Sequence, residues 1–172
     1  MDLAQHIRNV PDFPVEGIQF KDITTLLQDP VPFAASVEAL LETYQDSEID
    51  VVVAVEARGF IWGAILAYEL GAGFVPVRKP GKLPAETIRA EYTLEYGTNA
   101  LEMHADAILP SQRVLVVDDL LATGGTAKAT CELVEELGGE VVGVAFVIEL
   151  TSLHGRDKLS GYGVKSLVSM DV

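Results

Sequence analysis

The feature that most constrains this chain is a pair of apolar runs without alternation, each leading into a loop, a helical stretch and a glycine stop. Val51-Val52-Val53-Ala54-Val55 precedes Glu56-Ala57-Arg58-Gly59, a helical run to Leu70, Gly71, and a second apolar segment from Phe74 to Val77. Arg113 to Val117 precedes an acidic, glycine-rich loop, a helical run to Leu137, Gly138-Gly139, and a segment from Val141 to Ile148. A strand exposed on one face alternates apolar with polar side chains, whereas a run that is apolar throughout is covered on both faces, as in a parallel sheet between helices. Each segment therefore predicts a βαβ unit, and the fold class is α/β, a parallel sheet flanked by helices.

The second helix supports this geometry. Ala127, Cys131, Val134 and Leu137 share one face, and Lys128, Glu132 and Glu135 share the other, so one side packs on the sheet. In an open parallel sheet, ligands bind beyond the carboxyl ends of the strands, where both loops lie. Pro11, Pro14, Gly17 and Pro30 break the first thirty residues into turns and short extended pieces, which predicts a cap outside the sheet. A helix with proline in its first turn then runs to about Tyr44. Pro80, Gly81 and Pro84 among cations mark Lys79 to Ala90 as an exposed mobile loop, and Tyr92 to Glu95 and Asn99 to Met103 read as two short strands joined through Tyr96-Gly97-Thr98.

At 172 residues, 49% hydrophobic and 22% charged, the chain suits one compact domain, 1–172, with residues 1–30 as a hood and 31–172 as the α/β core. A net charge of -14 repels nucleic acid and anionic lipid, so neither nucleic acid nor a membrane is expected as a partner. An anionic small molecule would need a local basic pocket, and Arg78, Lys79, Lys82 and Arg89 are clustered in the sequence. Cys131 is the only cysteine, and the N-terminus lacks the basic start and apolar run of a signal peptide, which leads to a cytoplasmic expectation.

The stretch Val114-Leu-Val-Val-Asp118-Asp119-Leu-Leu-Ala-Thr-Gly-Gly-Thr126 concentrates the chemistry. Unpaired amides at a helix N-terminus, here from Ala122, Thr123, Gly124, Gly125 and Thr126, make an anion site. Asp118 and Asp119 stand beside them, and carboxylates accept hydrogen bonds from vicinal hydroxyls. A diol and a phosphate at that separation describe a ribose 5-phosphate. The alternative is that the acids only favour a helix dipole, with Thr123 or Thr126 as N-cap. A Walker A loop would need lysine where Thr126 stands, and a receiver domain would need a longer chain after Asp119.

These residues resemble the 5-phosphoribosyl 1-pyrophosphate (PRPP) motif of the type I phosphoribosyltransferases. The stretches PDFPVEGIQFKDIT, EARGF, VRKPGKLP, LEYG and ELTSLHGRDKL extend the likeness to the adenine-using branch of that family from Pro11 to Leu159. The resemblance implies a type I phosphoribosyltransferase-like sheet with an N-terminal hood and a flexible catalytic loop. It implies transfer of phosphoribose from PRPP to adenine, giving AMP and diphosphate, with Mg²⁺ carried by PRPP rather than bound directly by the protein, and a homodimer. On the same ground Asp118 and Asp119 take the ribose hydroxyls and residues 122–126 the 5-phosphate. Arg58 acts at the diphosphate with Arg78, Lys79 and Lys82, and Glu95 is the acid near the base. Gln19, Phe20 and Lys21, with Leu120 across the ring, hold adenine. Arg58 could otherwise be a surface ion-pair partner, Phe20 plain core, and Glu95 an exposed strand residue. Two other functions remain open: use of another purine such as xanthine or guanine, and a non-catalytic PRPP-sensing regulator, which would need a DNA-binding segment not recognised in the sequence.

Overall fold

The computed structural model describes residues 1–94 and 97–171. Two short antiparallel strands, β1 (Arg8–Pro11) and β2 (Gln19–Asp22), form a hairpin outside the main sheet, as the proline-broken sequence predicts. A single helical turn, α1 (Thr24–Leu27), leads to α2 (Pro30–Tyr44), where the Asp29 carboxylate accepts the Val31 N–H at 3.0 Å and proline occupies the first turn.

The βαβ units follow as β3 (Val51–Val55), α3 (Gly59–Glu69) and β4 (Gly73–Val77), then β7 (Arg113–Leu121), α4 (Gly125–Glu136) and β8 (Glu140–Leu150). Between them lies an antiparallel hairpin, β5 (Thr87–Thr93) and β6 (Thr98–His104). A last strand, β9 (Val164–Met170), completes a five-stranded sheet in the order β4-β3-β7-β8-β9, parallel throughout.

Alternate residues along the central strands enter two cores. Val52, Ala54, Leu115 and Val117 pack with Leu40 and Tyr44 of α2 and with Trp62 and Leu66 of α3. Val53, Val55, Val116 and Phe146 pack with Cys131 and Leu133 of α4 and with Leu101 and Met103 of β6. Coverage of both faces is why these strands are apolar throughout. The Trp62 indole N–H, fully buried, donates to the Ser36 hydroxyl at 2.9 Å, which in turn donates to the Phe33 carbonyl.

Three local expectations change, and one strand had no expectation attached to it. β7 continues past Val117 to Leu121 because β8 runs alongside as far as Glu149, so Asp118 and Asp119 are strand residues rather than loop residues. The 79–90 segment is irregular only to Glu86; Ile88, Ala90 and Tyr92 pack onto the second core, and that burial draws the segment into β5. The second hairpin strand extends to His104. β9 carries no uniform apolar run because it is an edge strand with mostly partly exposed positions. Among the described residues no helix is long and apolar enough to cross a membrane.

Candidate active site

From β3 the chain moves outward to β4, then crosses back to place β7 on the other side of β3. Loops leaving β3 and β7 therefore diverge, and a crevice opens at their carboxyl ends. There a cavity of about 250 Å³ is lined by residues 55–58 and 118–127, with Lys79, Tyr92 and Leu101 closing its sides.

Its floor is the turn before α4. Gly124 is the N-cap, with φ +83°, and no side chain caps the helix, so neither Thr123 nor Thr126 serves that purpose. First-turn amides of a helix have no intrahelical partner, and those of Gly125, Thr126 and Ala127 belong to residues lining the cavity. A Cβ at Gly124 would strike the carbonyl of Gly155, which begins a 3-10 turn, Gly155–Leu159, packed under the loop. Sequence reasoning assigned no role to Gly155, although it lies in the familiar ELTSLHGRDKL stretch. The Thr126 hydroxyl donates to the Tyr92 hydroxyl at 3.1 Å, adding the β5–β6 hairpin to the wall.

The paired acids stand at the end of β7. Asp119 is 4% exposed and its Oδ2 lies 2.9 Å from Arg58 Nε. Oδ1 of Asp118 accepts the Asp119 N–H at 2.8 Å. Burial pushes the Asp118 carboxyl well above the ordinary range, the neighbouring Asp119 adds to the shift, and Arg58 opposes it. Oxygen acceptors are thus held side by side next to an amide nest, which suits a diol joined to an anion. The two loops approach closely because residue 59 is glycine: a Cβ there would come within 2.9 Å of Asp118 Oδ1.

Arg58 begins the turn into α3, just after the cis Glu56–Ala57 peptide. Its guanidinium spans Asp119 and Phe20, with the ring centroid 5.4 Å away. The structure does not gather the expected adenine contacts into one pocket. Leu120 lines the cavity, whereas Gln19, Phe20 and Lys21 do not. Lys21 Nζ donates to Asn9 Oδ1 at 3.0 Å, and Gln19 Oε1 accepts from Asn9 Nδ2 at 2.7 Å. These are contacts across the β1–β2 hairpin, and Arg58 over Phe20 is what joins that hairpin to the cavity.

Of the basic residues, Lys79 lines the cavity, while Arg78 and Lys82 reach it through Glu56. Glu56 Oε2 lies 3.2 Å from Arg78 Nη2 and 3.0 Å from Lys82 Nζ, and Oε1 accepts the Lys79 N–H at 2.6 Å. Burial opposes the ionisation of Glu56, but the Lys79 N–H, Lys82 and Arg78 outweigh it and hold its carboxyl below the usual range. Glu56 carried no role in the sequence reading, although it follows β3 as Asp118 follows Val117. Arg89 instead pairs with Glu91 at 3.2 Å on the exposed side of the hairpin. Glu95 lies outside the described residues.

Residues 23–171 match the phosphoribosyl transferase domain family. The chain is 61% identical to the adenine phosphoribosyltransferase of Clostridium perfringens over 172 residues, all of both chains. Against that of Chloroflexus aurantiacus it is 60% identical over 167 residues, 97% of this chain and 96% of the other. The crystal structure of adenine phosphoribosyltransferase from Thermoanaerobacter pseudethanolicus superposes with a TM-score of 0.95 at 56% identity, covering 98% of each chain. That of the Saccharomyces cerevisiae enzyme, complexed with an imino-altritol bisphosphate and adenine, superposes with a TM-score of 0.90 at 42% identity over 96% of each chain. Family match and site geometry agree: this chain belongs to the phosphoribosyltransferase family, in its adenine phosphoribosyltransferase group.

Proposed function

We infer that this protein transfers the 5-phosphoribosyl group of PRPP to adenine, releasing AMP and diphosphate in purine salvage. One observation carries it: side-by-side aspartates and the bare amides of the α4 turn line a single cavity at the reversal point of a parallel sheet. A similar chain from Trypanosoma brucei, 27% identical, was solved with AMP, pyrophosphate and ribose-5-phosphate, and the yeast relative with adenine. Use of adenine rather than another purine rests on the relatives that share this chain's whole length.

Each group has a task in the transfer. Amides of residues 124–126 hold the 5-phosphate, and Asp118 and Asp119 accept from the ribose hydroxyls, which fixes C1 relative to both substrates. As the bond from C1 to the diphosphate breaks, charge builds on the leaving oxygens; Arg58, Lys79, Lys82 and Arg78 supply the compensating positive charge. Adenine N9 forms the new bond to C1 and its proton leaves, a transfer proposed for Glu95. Phe20 and Leu120 are proposed to take the two faces of the purine once Arg58 swings off Phe20 toward the diphosphate, with Gln19 and Lys21 at its edge.

Glu56, Asp118 and Asp119 are the cavity's acids, and each is already engaged by a neighbour. Among the described residues no three His, Cys, Asp or Glu side chains converge as a metal site. This donor set suits a Mg²⁺ ion that arrives on PRPP's own oxygens, which match its preference for phosphate and water. Bound there, the ion would neutralise the departing diphosphate. One domain with residues 1–30 as a hood, a homodimeric assembly and a cytoplasmic location complete the proposal.

The test is to supply purified protein with PRPP, Mg²⁺ and adenine, xanthine or guanine in turn, and to follow nucleotide formation spectrophotometrically. AMP from adenine, with the other bases inert and EDTA abolishing turnover, is expected. PRPP binding without turnover on any base would identify a regulator instead.

A further inference from the structure

Glu56 makes contacts of the kind a phosphate oxygen makes. One carboxylate oxygen takes a backbone N–H and the other takes two cations, all from the 78–82 segment. That segment carries three cations in an acidic protein, and Glu56 lines the cavity with a side chain 9% exposed. A second observation marks the arrangement as incomplete. Among the described residues, Nε of Arg78 is a buried side-chain donor without a hydrogen-bond partner. A buried unpaired donor is costly, and the single carboxylate of Glu56, already holding Lys79, Lys82 and Arg78 Nη2, does not reach it. A diphosphate offers more acceptor oxygens and more charge than one carboxylate does.

We propose that Glu56 is a stand-in anion: its carboxylate holds Arg78, Lys79 and Lys82 together while the site is empty, and it competes with diphosphate for them. Resting on the transfer reading above, this makes Glu56 a positioning residue that keeps the cations assembled before PRPP arrives and takes them back as diphosphate leaves. The competition weakens diphosphate binding and hastens product release. No covalent step is involved, only an exchange of ion-pair partners.

The test measures binding of inorganic diphosphate with Mg²⁺ to the full chain by calorimetry, alongside steady-state turnover. Glu56→Gln should tighten diphosphate binding about threefold to tenfold, the scale of a partly exposed ion pair, and lower kcat as release slows. Glu56→Asp keeps the charge but withdraws the carboxylate by one methylene, so it should tighten binding in the same direction by less. In a Lys82→Ala background the effect of Glu56→Gln should shrink to below about twofold, since coupled partners are not additive. Unchanged or weaker diphosphate binding in Glu56→Gln overturns the proposal. So does tightening in Glu56→Gln with Glu56→Asp equal to the parent, which would mark a bulk charge effect. Thermal melting checks that each variant is folded, and Glu56→Asp decides the matter by itself if Glu56→Gln is not. An unaltered affinity in a protein that makes AMP removes only the stand-in role, whereas a parent that neither makes AMP nor binds diphosphate removes the transfer reading as well.

Discussion

Asp118 is where binding and stability pull apart. Its carboxyl is pushed up by burial and by Asp119, so the folded chain holds a proton that the unfolded chain releases at the ordinary value of 3.8. The folded state therefore binds more protons, and this residue's contribution to stability is present in acid and lost as pH rises from 3.8 through the raised value. Asp118→Asn keeps Oδ1 as acceptor for the Asp119 N–H and removes the titration. We expect its Tm at neutral pH to exceed the parent's by about 2–4 °C, for a gain of roughly 1 kcal/mol, with the advantage vanishing near pH 3.8. PRPP affinity should fall, since one of the two carboxyl oxygens is replaced by an amide nitrogen that cannot accept a hydrogen bond. A melting curve no higher than the parent's at neutral pH would refute the strain assigned to this pair. Gly124→Ala meets two obstacles at once, a φ of +83° and the Gly155 carbonyl. It should lose most PRPP binding in calorimetry and about 2 kcal/mol or more of stability in a denaturant melt. The twin acids and this glycine were legible in the sequence because their signal is local. Gly155 was not, because its constraint is a contact with Gly124, 31 positions earlier in the chain.

At the scale of elements, β8 and β9 are tied by an ion pair whose arginine follows Gly155, the residue packed under the turn before α4. Arg156 donates through Nε and Nη2 to Glu149 at 2.8 and 2.5 Å, and through Nη1 to the Val164 carbonyl at 3.0 Å, while the Ser166 hydroxyl joins the same carboxylate. Glu149 is 8% exposed at its side chain, and Arg156 is next to Gly155 in the chain. Arg156→Leu strands a buried carboxylate. Because the arginine is partly exposed, the expected cost is about 2 kcal/mol rather than the full penalty of a broken buried pair. A calorimetric scan should show Tm lower by roughly 4–8 °C, and ribose 5-phosphate should bind more weakly. The β1–β2 hairpin carries its own pH signature. Thr24 N–H first, then Arg8, hold the Asp22 carboxyl at about 2, below its ordinary 3.8. A lowered folded value contributes stability that is fully present above 3.8 and disappears as pH falls toward about 2. Asp22→Asn should therefore flatten acid unfolding in that window and leave a smaller difference from the parent at pH 2 than at neutral pH. Elements buried on both faces were readable as unbroken apolar runs. β9 and the start of β5 were not, because a partly exposed strand is specified by its neighbour in the sheet more than by its own composition.

For the whole molecule, a net charge of -14 sets the background against which a polyanion must bind. Self-repulsion destabilises a compact acidic chain and is screened by salt. Tm should rise by a few degrees between about 10 and 300 mM NaCl, a trend that differential scanning would reverse if the charges were already balanced in local pairs. Sequence alone determined the α/β class, the two βαβ units, the paired acids followed by a small-residue turn into α4, and the family, because each is written in contiguous residues whose spacing fixes backbone geometry and exposed amides. Only the tertiary structure decided that Glu56 gathers Arg78 and Lys82 from 22 and 26 residues away, that Arg58 bridges Asp119 to the hairpin, and that Gly155 supports Gly124. Such partners meet through strand order and loop direction. A side chain's charge and size, read along the chain, do not specify which distant group it will face.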